Sequence, residues 1–291
     1  MSLRLETPYL NAAMPWLRGS LHTHTANSDG RQSPQKLVDA YAARNHDFLM
    51  MSDHDTLTPP DSVLPRGMVL IPGVEVTANG PHLLHVNAQS PVEPHEDRQA
   101  VLNAIREQGG FAILNHPNWG QDFNHYPQSL LESLQGYAGV EIYNGVRRRD
   151  EGSPLAVDRW DQLLAKGRRV WGYANDDCHG EGDEQVAWMM VQAEHRQRSA
   201  IVDALRRGRF YCTTGVLLYT IAVDGADITV EAESAEKIVV FGDYGRRLAE
   251  AEGGAMTYTA NPEAGCTYVR FEAYGYGESC AWTQPFFLMG A

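Results

Sequence analysis

The chain has 291 residues, 43% hydrophobic and 21% charged, which excludes a disordered, collagen-like or low-complexity chain and allows one large domain or two smaller ones. Lysine and arginine number 24 against 37 aspartates and glutamates, giving a net charge of −13. A field of that sign repels polyanions and attracts divalent cations, so nucleic acid is not an expected partner, whereas metals are.

The first residues, MSLRLETPYLNAAMPWL, are interrupted by Glu6 and Pro8 and lack the apolar core of a signal peptide. No run approaches the roughly 18 apolar residues of a membrane span, so a cytoplasmic protein without membrane contact is expected. Cys178, Cys212, Cys266 and Cys280 show no CxxC spacing, which argues against a thiolate zinc site and a disulfide framework.

In chain order, short apolar runs predict strands at 17–21, 48–51, 68–71, 83–86, 111–114, 140–143, 170–173 and 186–191. Helical patterns lie between them. Ser33-Pro34 and Ser153-Pro154 each offer an N-cap followed by proline at the first helical position, with Leu37, Val38 and Tyr41, then Leu155, Val157, Trp160, Leu163 and Leu164, at helical spacing. This alternation predicts an α/β fold of βα units around a mostly parallel sheet or barrel. After a last helix over 199–207, closed by Gly208, the segments alternate apolar and polar residues between turns. The predicted division is therefore a βα domain over 1–207 and a small antiparallel β domain over 208–291.

Ten of the 11 histidines precede residue 180. Most ionisable residues of interest follow directly on predicted strands, the edge where parallel α/β folds build active sites. His22 and His24 stand two apart on a strand, so both imidazoles face one side, and Asp29 can return to them from the following turn. Ser52-Asp53-His54-Asp55 ends the second apolar strand. Glu75, between valines, calls for a cation partner. His82 and His85 in HLLHVNA face opposite sides of their strand, so one of them is a candidate ligand. His116 ends FAILN, with His125 in the loop beyond, where it reads as a surface residue. Asp177 and His179 share a face after VWGYA, and Asp176 points the other way. These nitrogen and oxygen donors, without sulfur, suit zinc, manganese or iron.

The ordered segments LHTHTANSDG, MSDHD, GVEVT, HVNA, LNHPNW and NDDCH resemble the motifs of the polymerase and histidinol phosphatase (PHP) family over about residues 18–180. The resemblance implies a distorted (β/α)7 barrel holding two or three divalent ions. It implies His22, His24, Glu75 and Asp177 around one ion, Glu75, His85 and His116 around a second, and Asp29, His54 and His179 around a third, with Asp53 and Asp55 behind them. HVNA, similar to the fourth motif, is what selects His85 over His82. GRFYCTTG at 208–215 and the closing AWTQPFFL are similar to the carbaryl-hydrolase-like branch, whose members carry a β tail.

The expected activity is phosphoester hydrolysis of a small phosphorylated substrate by a metal-activated water, with Arg147, Arg148 and Arg149 after VEIYNG placed to meet the anion. A carboxyl or carbamate ester hydrolase on the same centre is the alternative, favoured by Trp119, Phe123 and Tyr143 as apolar mouth candidates. Glu141, in the strand before the arginines, is a candidate support for a ligand. No GxSxG motif is present, which argues against a serine nucleophile.

Overall fold

The computed structural model describes residues 4–10, 14–261 and 265–289. A short strand β1 (Arg4–Glu6) precedes seven strands that carry the site: β2 (Trp16–Ser20), β3 (Phe48–Met51), β4 (Val69–Val76), β5 (Leu83–Val86), β6 (Phe111–Leu114), β7 (Gly139–Asn144) and β8 (Trp171–Asn175). β3, β5, β6 and β7 are buried at every residue, as their unbroken apolar or mixed runs require of strands covered on both faces.

Neighbours pair in the order β2-β3-β4-β5-β6-β7-β8. All of these pairs are parallel except β4–β5 and β5–β6. The row curls back on itself through a parallel bridge between Thr23 and Cys178, supported by the His24 amide donating to the Cys178 carbonyl at 2.8 Å. Because β5 runs antiparallel, a tight connection over 77–82 suffices and no helix separates it from β4. The even succession of βα units expected from the sequence is broken there.

Helices between these strands are α1 (Pro34–Ala42), α2 (Arg98–Glu107), α3 (Gln128–Ser133) and α4 (Val157–Ala165). The α1 start is the predicted one, with the Ser33 side chain accepting from the Lys36 amide and Leu37, Val38 and Tyr41 buried. The α4 start is not. Ser153 accepts from the Leu155 amide at 3.1 Å and closes a local turn, so the helix begins only at Val157.

Beyond β8, β9 (Trp188–Gln192) pairs antiparallel with β2, and after α5 (Arg198–Arg206) β10 (Phe210–Thr213) pairs with β9. The tail consists of β11 (Leu217–Asp224), β12 (Asp227–Glu233), β13 (Ala235–Gly242), β14 (Arg246–Glu252), β15 (Ala255–Thr259), β16 (Tyr268–Gly275), β17 (Cys280–Trp282) and β18 (Phe286–Met289). Every strand pair in it is antiparallel.

β11, β12 and β15 form a separate sheet whose Leu218, Ile221, Ile228 and Val230 pack with Ile238, Val240, Phe271 and Phe286 of the other layer. β10–β17 pairing makes the second layer continuous with the site-bearing strands, and β1 joins it by pairing with β18. No helix among the described residues is long and apolar enough to cross a membrane.

Candidate metal centre

The strand ends converge on Glu75, near the C-terminal end of β4. Its carboxylate oxygens lie 3.2 Å from His22 Nε2, 3.4 Å from His24 Nε2, 3.0 Å from His54 Nδ1, 3.3 Å from His82 Nδ1 and 3.4 Å from His116 Nε2. Asp177 Oδ1 stands beside it, 3.2 Å from His22 Nε2 and 3.1 Å from His24 Nε2. Asp29 completes the outer edge, 3.4 Å from His54 Nε2 and 3.3 Å from His179 Nε2.

Eight of the nine residues singled out from the sequence are thus brought together: His22, His24, Asp29, His54, Glu75, His116, Asp177 and His179. His85 is not. In the antiparallel register His85 pairs with Val74, and Leu84 with Glu75, so His85 shares the Val74 face and turns away from the centre. It lies against Gly110, buried, with both ring nitrogens unpartnered. His82 takes its place because reversal of β5 puts the start of that strand, rather than its end, at the site.

One carboxylate behind the imidazoles fixes the orientation of His22, and two others hold the loops that carry site residues. Glu141 accepts from His22 Nδ1 at 2.8 Å, the His116 amide at 3.0 Å, Asn144 Nδ2 at 2.9 Å and Asn175 Nδ2 at 2.9 Å, which turns His22 Nε2 toward Glu75 and Asp177. Asp53 does not touch an imidazole. It accepts from the Thr25 amide and hydroxyl, Ser28 Oγ and Thr58 Oγ1, clamping the loop that carries His24 and Asp29. A Cβ at Gly30 would stand 2.4 Å from the His24 carbonyl, so that loop closes only around glycine. Asp55 does the same for the turn after β4, accepting from the Thr77 amide and hydroxyl and from the Ala78 amide.

His116 and Asp177 have φ of +28° and +53°, a left-handed backbone that costs free energy and marks where the chain bends ligand candidates into the centre. Burial would raise Glu75 and Asp177, but the surrounding imidazoles, with Arg147 beside Asp177, hold both carboxyls well below their usual range. His22 is opposed by burial yet raised well above the ordinary imidazole value by Asp177, Glu141 and Glu75.

The donor set fits cations. His22 Nε2, both ring nitrogens of His24 and His116, His54 Nδ1 and Asp177 Oδ1 are buried with no hydrogen-bond partner. Orphaned polar atoms are costly in a protein interior unless something positive sits among them.

The mouth is a cavity of about 630 Å³ whose walls include Arg31, Trp119, Arg147, Arg149 and His179. Arg147 donates from Nη2 to Asp177 Oδ2 at 2.9 Å and lies 4.4 Å over the Trp119 ring. Arg149 pairs with Asp183. Arg148, expected beside them, turns instead into a separate cleft, because the 3₁₀ turn 146–149 points successive side chains in different directions.

Arg31 has no hydrophobic pattern around it that would single it out in sequence. His125, expected at the surface, packs its ring 4.8 Å from His82 and 4.9 Å from His116 and accepts from the His82 amide at 2.9 Å.

No family model matches the chain. The whole chain superposes on 92% of a crystal structure from Bacteroides vulgatus, a two-domain protein containing a predicted PHP-like metal-dependent phosphoesterase, with a TM-score of 0.57 and 17% identity. A 93-residue segment, 30% of the chain, is 33% identical to a 3′,5′-nucleoside bisphosphate phosphatase of Chromobacterium violaceum and spans about a third (32%) of that relative's length. The fold is therefore like that of the PHP-like two-domain protein.

Proposed function

We propose that the protein is a metal-dependent phosphoesterase acting on a small phosphorylated molecule, with two or three divalent ions of zinc, manganese or iron. The observation that carries this reading is the ring of buried, unpartnered imidazole nitrogens around Glu75 and Asp177. The PHP-like phosphoesterase domain of the structural neighbour and the phosphatase matched by sequence support it.

His22, His24 and Asp177 would hold one ion, His116 and His82 a second, and Asp29, His54 and His179 a third, with Glu75 shared between the first two. Divalent ions held by these residues would make hydroxide available near neutral pH and would stabilise negative charge on phosphoryl oxygens. Glu141 keeps His22 in the tautomer that leaves Nε2 free, and Arg147 keeps Asp177 turned inward. Arg31 is exposed at the mouth and orients the phosphate.

Hydrolysis of p-nitrophenyl phosphate, bis-p-nitrophenyl phosphate and a naphthyl carbamate, each with added manganese or zinc, tests the reading. Turnover of a phosphate ester above the carbamate is expected. Turnover of the carbamate alone would overturn it in favour of the ester hydrolase.

A further inference from the structure

Arg148 leads to a second cavity, of about 550 Å³, between the 143–157 segment and the β16–β17 hairpin of the tail. Its floor is aromatic: the rings of Tyr143 and Trp282 lie 5.7 Å apart at 31°. Leu155, 40% exposed, forms an apolar wall. A volume within the range of small-molecule sites, mainly apolar walls and a few charged groups are the usual properties of a ligand pocket.

Two charged side chains of opposite sign, Arg148 and Glu278, reach the cleft, and both are exposed. They are not equivalent. Arg148 is anchored by Nε donating to the Gly145 carbonyl at 3.0 Å, which fixes the guanidinium at the rim. Glu278 stands on the hairpin turn. The other carboxylate at the wall, Glu272, is already engaged by Arg270 and the Tyr274 hydroxyl, so it adds no free charge. An anchored planar cation in a cleft lined by two aromatic rings matches a planar molecule bearing one anionic group.

We propose that this cleft is a second ligand site, separate from the metal centre, for a planar aromatic carboxylate whose ring lies against Tyr143 and Trp282 and whose anion meets Arg148. Glu278 opposes the ligand's charge and weakens binding. The site does not depend on the metal-centre reading, because none of the residues around Glu75 lines it. The strand under the ligand is nevertheless β7, which also carries Glu141 and Asn144 to the metal centre.

The test is titration calorimetry of the full chain with 2-naphthoate and with its neutral counterpart 2-naphthylmethanol, in the presence of a chelator. Naphthoate should bind, Arg148→Gln should weaken it about fivefold, and Glu278→Gln should strengthen it about twofold, as exposed charge pairs do. Neither substitution should change binding of the alcohol. Both side chains are exposed, so the variants keep the fold, and Leu155→Arg gives an independent block of the cleft. No binding of naphthoate, equal affinity in the Arg148→Gln variant, or binding that appears only with added metal would overturn the proposal.

Discussion

Glu75 gathers five imidazoles within 3.4 Å, so its loss strips a common partner from every side of the centre. Glu75→Gln should cost more activity than the 10- to 100-fold that is about typical of outer-shell partners. His82→Ala should lose about 10-fold or more, while His85→Ala keeps its activity. Steady-state kinetics of the three variants decides this, and an inactive His85 variant beside a normal His82 variant would refute the assignment.

His85 has a different consequence. Burial pushes its pKa down to about 4, so the folded chain holds it neutral while the unfolded chain protonates it near 6.5. Its contribution is complete above about pH 6.5 and is lost as pH falls toward 4, by about 3 kcal/mol at full development. His46, lowered to about 3 by burial with Arg18 adding to it, acts in the same direction. Urea unfolding of a His85→Leu variant should show a shallower loss of stability between pH 6.5 and 4 than the parent chain. An unchanged slope would contradict it.

At the scale of elements, the direction of β5 decides which histidine reaches the centre. The sequence shows that His82 and His85 oppose each other, because side chains alternate along a strand, but strand direction is set by pairing partners distant in the chain. The other candidate positions could be grouped from the sequence because they follow strands that pair in parallel with a neighbour. Glu141 could be suspected but not oriented, since its role depends on His22, 119 residues away. Likewise the turn that sends Arg148 away from Arg147 leaves no trace in a run of three arginines.

α4 and β16 are tied by a buried pair: Arg270 donates from Nε and Nη2 to Asp161 at 2.7 Å each, and the Tyr268 hydroxyl donates to the same carboxylate at 2.7 Å. Stripping one partner from a buried pair costs about 3–5 kcal/mol when the remaining charge is left unpaired; here Arg270 keeps Glu272, so the loss of Asp161 should cost about 2–3 kcal/mol, from the hydrogen bonds that Arg270 and Tyr268 give up. Asp161→Ala should lower the urea midpoint accordingly, with one cooperative transition retained; a change below about 1 kcal/mol would show that the pair does not hold the two elements together.

Across the whole molecule, the division proposed at 207/208 separates the candidate metal ligands from the tail, yet the main apolar core draws on both sides of it. Phe210, Tyr268, Trp282 and Phe287 pack with Phe111, Val140 and Tyr173 in one cluster. A chain ending at Arg207 should therefore unfold at a lower temperature than the full chain while any folded fraction still binds metal. A folded fragment devoid of metal would mean that the tail contributes to the centre.

The decisive quantity is metal bound per chain, measured by elemental analysis on the same samples whose phosphate-ester hydrolysis is assayed. Two or three ions per chain, loss of ions and rate together on chelation, and recovery of both with manganese or zinc are predicted. A metal-free chain that hydrolyses the ester at the full rate would contradict the assignment of the Glu75–Asp177 cluster as a metal centre.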